Sequence, residues 1–495
     1  MNRLSLATLA GVPASVVKPF YDPRKLGVGI VHLGIGAFYR AQSAVYTDDA
    51  IAQQGGDWGI CGVSLRSPDV RDRLAPQDGI FTAVEKSPAG VRRRIIGSVR
   101  EVLFLGDERA AINARLADPA TRIVSLTITE KGYCHDPATG RLNFAHPDIV
   151  HDLADPGQPN SAIGLVVHTL DARRRTHGTP LTVLCCDNLP HNGALIQNLV
   201  LAFADARDAQ LASWVREHAS FPSTMVDRIV PATTDSDIAE NDAALGLHDA
   251  APVMHEPFKQ WVVEDNFAAG RPAWANVGAQ LVVDVAPFEA MKLRLLNGSH
   301  SAFAYLGFLA GHEFVYQVAA QSDFVAYMRA LMRVEVAPSL SLPAGVDVAA
   351  YQSALVERFA NPALPHRTQQ IAMDGSQKIP QRWLATVREN LAAGRPIDRL
   401  ALGVAGWMRY VSGVDEAGRA IKVSDPLASQ FTAIAATHRG DVPVLARGLL
   451  GIRAIFGDDL PARPAFTDKV IAWLVALHAD GAARTVARAA AAGTH

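Results

Sequence analysis

Cysteine is scarce in this chain: its 495 residues carry 4, at positions 61, 134, 185 and 186. None forms a Cys-x-x-Cys pair or sits at metal-ligand spacing with a histidine, so neither a disulfide framework nor a structural zinc is expected. Cys185 and Cys186 adjoin inside an apolar run and read as small residues of a buried strand. Net charge is nearly absent as well, with 47 basic and 49 acidic side chains giving −2. A balance spread along the chain provides no field for a polyanion or an anionic membrane, and neither is expected as a partner. No apolar run reaches the roughly 18 residues that span a bilayer. Pro13 breaks the weakly apolar N-terminus, which has no signal-peptide core, so the expected location is cytoplasmic. Internal repeats are lacking, and low complexity is confined to the Ala-rich stretch near 489–492.

What is present is a large apolar complement, 49% of residues against 19% charged. That suits a globular protein with more than one core, since a chain of this length exceeds what one core usually supports. From Gly27 to about Asn188, short β-branched runs alternate with amphipathic stretches. Val28–Leu33, Trp58–Val63, Arg122–Ile128 and Leu181–Cys186 read as buried strands; Ala41–Gln53, Ala110–Ala117 and Ala162–Thr176 read as helices between them. Alternation of this kind predicts an α/β domain with a doubly wound parallel sheet.

Beyond about Pro287 the β-branched runs give way to Ala/Leu-rich helical periods. These are Glu289–Leu309, Ser322–Val334, Tyr351–Phe359, Pro380–Ala393, Leu400–Gly413, Val442–Phe456 and Thr467–Ala491, with breaks such as Pro338–Gly345. The expected division is therefore residues 1–286, an α/β domain, and 287–495, an all-α domain.

Gly34-Ile35-Gly36 follows the first strand and precedes a helical stretch. There the first glycine permits a tight turn and the second lets backbone approach a pyrophosphate, although an ordinary turn needs nothing more. The third glycine of G-x-G-x-x-G is missing; position 39 is Tyr. Arg40 stands where it would contact phosphate or be solvated. After the second strand, where an acid favours NAD and basic groups NADP, Asp69 is surrounded by Arg66, Arg71 and Arg73, and spacing alone does not choose between them.

The segment MKLRLLNGSH (291–300) carries the clearest chemistry. At about 100° per residue, Glu289, Lys292, Asn297 and His300 fall within one broad arc of a helix. Leu293 and Leu296 share that arc, so a partly exposed helix with a capped histidine is an equally open reading. Taking hydride from a carbinol carbon needs a base for the hydroxyl proton and donors for the oxygen. A desolvated lysine, amides and an imidazole supply both. Asn188 ends a strand where open α/β sheets place ligands, and a turn-forming role accounts for it as well. The clustered Cys and His ligands of zinc alcohol dehydrogenases are missing. A Tyr-x-x-x-Lys pair at Tyr21–Lys25 is interrupted by Pro23 and precedes the first strand, so it is set aside.

Across nearly the whole chain, the segments HLGIGAFYRA (32–41), WGICGVSLRS (58–67), TITEKGYC (127–134), CDNLPHNG (186–193), FPSTMVDRIVP (221–231), EPFKQWVVEDNF (256–267), KLRLLNGSHS (292–301) and MDGSQKIPQR (373–382) resemble the polyol-specific long-chain dehydrogenases, the mannitol dehydrogenase family. The resemblance implies an N-terminal Rossmann-type domain, a C-terminal helical substrate domain, NAD(H) as cofactor, no metal, and a site in the cleft. It implies Lys292 as general acid/base, Asn188 and Asn297 as holders of the reacting oxygen, and His300, Lys378 and Asp227 as substrate-binding groups. Asp69 matches the acid expected to favour NAD, and Gly34, Ile35, Gly36 and Arg40 the cofactor turn. Tyr39 and Gln42 depart from the histidines of the family's G-A-F-H-R-A-H segment.

The expected substrate is a small open-chain sugar acid or polyol. CDNLPHNG and CGVSLRS are similar to the mannitol 2-dehydrogenases. TEKGYC, KLRLLNGSHS, HRTQQIAMDGSQKIPQR and ALGVAGWMRY are similar to the fructuronate reductases, and an arginine of some mannitol enzymes is Gln370 here. D-fructuronate/D-mannonate is the preferred pair, with D-mannitol/D-fructose or a related polyol such as arabinitol as the alternative. Arg294, Arg367, Arg382 and Arg409 accompany the uronate-like motifs, and each is a candidate partner for a sugar carboxylate. A catalytically silent dinucleotide-binding protein is the competing class, and a monomer or weak oligomer is expected.

Overall fold

The computed structural model describes every residue except 137–138, 343–344, 439 and 492–495. Ala492 of the Ala-rich stretch, and Pro343 and Ala344 of the break at Pro338–Gly345, thus lie outside the described residues. The chain forms two compact units, Met1–Ala286 and Pro287–His495.

In the first unit six parallel strands make one sheet: β1 (Val28–Leu33), β2 (Gly59–Ser64), β3 (Val99–Phe104), β4 (Ile123–Leu126), β5 (Leu181–Cys185) and β6 (Ala219–Ser220). Their spatial order is β3-β2-β1-β4-β5-β6. This is the order of a doubly wound dinucleotide-binding sheet, whose winding reverses between β1 and β4. Strands β2, β4 and β5 are buried along their whole length, as strands covered on both faces must be. Strand β3, absent from the sequence reading, lies at the sheet edge. It carries Arg100 and Glu101 side by side among apolar residues, and Glu101 pairs with Arg115 at 2.6 Å. The half-polar pattern is what an edge permits and what hides a strand from an apolar-run criterion.

Two smaller sheets complete the unit. The hairpin Phe81–Ser87 with Gly90–Ile96 adds Val253–His255 in parallel, and Gln260–Glu264 lies between Thr224–Asp227 and Gln280–Val282. The helix Ala162–Arg175 begins at Ser161, whose hydroxyl accepts from Gly164 N–H at 2.8 Å, supplying one of the bonds that helix starts lack.

Among the described residues the second unit contains helices and no strand longer than an isolated bridge. Helix Asp398–Val411, buried from Arg399 onward, packs against Gly298–Leu309 and Pro464–Asp480. Their side chains join one core that runs from Met291 to Ala489. Several expected helices are subdivided. Gly481, at φ +77°, separates Pro464–Asp480 from Ala482–Ala491, and Val442–Leu450 ends before Arg453–Phe456. The expected helix Glu289–Leu309 is three segments: Ala286–Met291, a π-helical turn over Lys292–Asn297, and Gly298–Leu309. Further π turns occupy Leu331–Val336 and Pro380–Leu384, and both pack against the first.

Candidate active-site residues

At the C-terminal end of β1 the chain turns through Gly34, whose φ is +95°. A Cβ there would lie 2.2 Å from Thr127 O, so only glycine fits between the ends of β1 and β4. Gly36 is held differently. Its φ of −76° suits any residue, and an added Cβ would meet only Gly34 O at 3.8 Å. Space kept open above a strand-to-helix turn fits the approach of a dinucleotide's phosphates to backbone.

The turn is braced by a residue that motif reading passed over. Buried His32 bonds Ser125 Oγ and Thr127 Oγ1, each at 2.9 Å, and contacts Gly34 O at 3.1 Å. Burial pushes its pKa down to about 3, so the ring is neutral. It stacks on Tyr39, the residue standing at the family's histidine position. One signal was available: a histidine in mid-strand within an otherwise apolar run.

Arg40 requires a correction. Its Nη1 donates to Ala251 O at 2.5 Å and its guanidinium lies 5.2 Å from the Phe81 ring, buried within the unit. The side chain therefore ties the helix to the sheet behind it and is not presented to a phosphate. Asp69, by contrast, is exposed at the start of helix Asp69–Leu74. Arg71 is shared among Asp72, Asp107 and Glu108, and Arg66 pairs with Asp148 at 2.6 Å. Two of the three arginines surrounding Asp69 thus have other acidic partners.

Asn188 follows β5 in an exposed bend. Its neighbour Asp187 accepts from Ile128 N–H at 2.8 Å and from Tyr133 O–H at 2.6 Å, which joins the loops after β4 and β5. Burial raises the Asp187 carboxyl pKa, against the lowering effect of those donors. Buried Asn192 fixes the same bend by donating to Asp187 O at 3.0 Å and Thr224 O at 2.8 Å. Asp227 ends the strand Thr224–Asp227 and is buried.

In the second unit the π turn changes how the candidate residues align. A π turn closes one residue later than an α turn, so it acts as one residue inserted into the helix. The step from Lys292 to Asn297 therefore advances roughly like four residues, and that from Lys292 to His300 like seven, about one and two α turns. The broad arc expected from an unbroken helix is gathered into a narrow line. Lys292 is 6% exposed and His300 9%. His300 Nε2 has no hydrogen-bond partner among the described residues, and its ring is 5.0 Å from both Phe359 and His366. Burial, then the positive charge of His366, Arg382, Arg358 and Lys378, holds its pKa well below the usual histidine range, so it is neutral.

The four candidate arginines separate clearly. Arg294 makes a two-pronged pair with Glu389, at 2.5 and 2.7 Å, and Arg367 pairs with Glu313. Arg409 donates to Val414 O, to Asp415 O at 3.1 Å and to Ser412 Oγ at 3.3 Å. All three are engaged by their own chain, which corrects the expectation that Arg294, Arg367 and Arg409 await a substrate carboxylate. Arg382, on the third π turn, donates from Nη1 to Ser301 Oγ at 2.6 Å and Asn297 O at 3.2 Å. Lys378 donates to Met373 O at 2.6 Å, and burial brings its pKa down to about 8.

Folding also places Cys134, His146 and Asp148 together, with ligand atoms within 4.8 Å of one another, which their spacing did not announce. His146 Nδ1 already accepts from Asp148 N–H, Asp148 already pairs with Arg66, and burial pushes the Cys134 thiol up to about 11. The three groups are thus satisfied by the protein.

Two family models match the chain: the mannitol dehydrogenase Rossmann domain over residues 28–276 and the mannitol dehydrogenase C-terminal domain over 284–478. The D-mannonate oxidoreductase of Escherichia coli (strain K12) is 47% identical, covering 97% of this chain and 100% of that protein. The uncharacterized oxidoreductase YeiQ of the same organism is 50% identical, over 95% of this chain and 96% of its own. The Pseudomonas fluorescens mannitol 2-dehydrogenase, solved as a ternary complex with NAD and D-mannitol, aligns with a TM-score of 0.89 at 41% identity over 98% of this chain and 99% of that one. This chain belongs to the mannitol dehydrogenase family.

Proposed function

We propose that the protein is an NAD-dependent oxidoreductase that interconverts D-mannonate and D-fructuronate, a secondary alcohol and its ketone on an open-chain sugar acid. The observation that carries this reading is the alignment of Lys292, Asn297 and His300 by the π turn: a buried amine, an amide and a neutral imidazole with an unpartnered nitrogen. Such a set can move a proton at a hydroxyl and hold the oxygen, as alcohol oxidation requires.

In the oxidative direction Lys292 accepts the hydroxyl proton while the carbinol carbon loses hydride, and in reduction it returns that proton to the ketone oxygen. NAD, when bound, supplies the hydride acceptor. Asn297 donates to the reacting oxygen, and Asn188 is assigned the same task by the family resemblance. His300 reads a neighbouring hydroxyl through Nε2. Gly34 and Gly36 would seat the dinucleotide, with Asp69 at the ribose. The acid is preferred over a polyol because identity to the D-mannonate oxidoreductase exceeds that to the mannitol 2-dehydrogenase, 47% against 41%. The deciding experiment assays D-mannonate and D-mannitol with NAD at matched concentrations. A higher kcat/KM for D-mannonate is expected, and a higher value for D-mannitol reverses the assignment.

A further inference from the structure

Arg382 leaves one edge of its guanidinium unused. Both of its hydrogen bonds run from Nη1, to Asn297 O and Ser301 Oγ on the helix that bears Lys292 and His300. Among the described residues, Nε and Nη2 find no acceptor. These two N–H groups point in parallel and form the side-on fork that matches a carboxylate. Among the described residues no carboxylate pairs with it: burial lowers its pKa to about 10, and the opposing influence is Tyr305. An unpaired, desolvated cation is costly unless something it binds repays the desolvation.

Lys378 precedes Arg382 by four residues, and the charges of Arg382 and Lys378 both act on His300. The acids acting on Lys378 are Asp374 and Asp425. Asp425 is itself taken by Ser376, accepting from its N–H at 2.8 Å and its hydroxyl at 2.6 Å. Beside the cations stand two buried imidazole nitrogens without partners among the described residues, His300 Nε2 and His366 Nδ1. A neutral polyol leaves the charge of Arg382 uncompensated; an anion with planar, two-oxygen geometry does not.

We infer that the Nε–Nη2 edge of Arg382, supported by Lys378, binds the carboxylate of a sugar-acid substrate and makes Arg382 a specificity-determining residue. The inference rests on the proposed sugar-acid reaction for its ligand but is tested by binding, independently of turnover. The Nη1 bonds place Arg382 against the backbone of Asn297, so the carboxylate would be held to the same helix that holds the reacting oxygen.

Affinities of D-mannonate, D-mannitol and D-mannitol 1-phosphate for the NAD-bound protein are measured by calorimetry, with wild type, Arg382→Gln and Arg382→Lys. In Arg382→Gln the loss for D-mannonate is expected to exceed the loss for D-mannitol by at least about 30-fold, the scale of a charge-assisted bidentate contact. Arg382→Lys, which keeps charge but not the fork, should fall between. Equal losses for both ligands reduce Arg382 to a positioning residue of the helix and overturn the inference. So does a wild type that fails to bind D-mannonate, or one whose Arg382-dependent ligand is the phosphate ester. A wild type that binds D-mannonate through Arg382 yet oxidises only D-mannitol overturns the proposed reaction and leaves the carboxylate site standing.

Discussion

Substituting alanine at Gly36 and at Gly34 separates what the cofactor turn does for the fold from what it does for a nucleotide. At Gly36 the backbone is already in a conformation open to any residue, and a new methyl meets one atom, at 3.8 Å. As the N-cap of a helix, Gly→Ala there costs about 0.5–1 kcal/mol, so Gly36→Ala should melt within about 3 °C of wild type. A methyl at the point of phosphate approach would displace a pyrophosphate from the backbone N–H groups. Loss of one charge-assisted bond, about 1.5–3 kcal/mol, weakens NADH by roughly 10- to 100-fold. At Gly34 both penalties fall on the fold. The left-handed backbone costs alanine about 1–2 kcal/mol, and a Cβ 2.2 Å from Thr127 O forces a shift that strains the 2.8 Å bond from Gly34 N–H to Val63 O. Gly34→Ala should therefore lose several degrees of melting temperature. Calorimetric NADH titration beside thermal melts reads both effects. A Gly36→Ala protein that is stable and binds NADH like wild type would refute the reasoning.

Lys292→Met should lower kcat by about 10²- to 10⁴-fold, the usual contribution of a positioned acid/base, with NADH affinity kept; near-normal turnover removes the lysine from the mechanism. Asp69→Ala should cut the preference for NAD over NADP by at least about tenfold in kcat/KM, and an unchanged ratio rejects the ribose assignment. Asp187 titrates with its folded-state pKa raised by burial. Its protonated form is therefore favoured in the native state, and the stability it contributes at low pH is lost as pH rises through the folded value. Asn cannot ionise, so the melting temperature of Asp187→Asn relative to wild type should increase from about pH 4 to pH 6; a flat difference contradicts the shift.

Local pattern carried the reading far where structure is locally determined. Strands β1, β2, β4 and β5 are continuous apolar runs because they are covered on both faces, and the glycine turn follows from its place after the first. The edge strand β3 was illegible because one of its margins faces solvent. The π turn had no signature either: Lys292–Asn297 is an ordinary helical string, and the extra residue in its turn belongs to packing against Leu331–Val336 and Pro380–Leu384. The arginines show the same limit. In sequence Arg294, Arg367, Arg382 and Arg409 are four equivalent cations. Only folding brings Glu389 to Arg294 and Glu313 to Arg367, across 95 and 54 positions, and leaves Arg382 without an acid among the described residues.

The two units each enclose cores of their own, one running from Met291 to Ala489 and the others built entirely from residues up to Ala279. Cooperativity follows cores, so the melting shifts expected for Gly34, Gly36 and Asp187 belong to the transition of the first unit, which holds all three. A nucleotide seated on the β1 turn would raise the transition of the first unit by mass action.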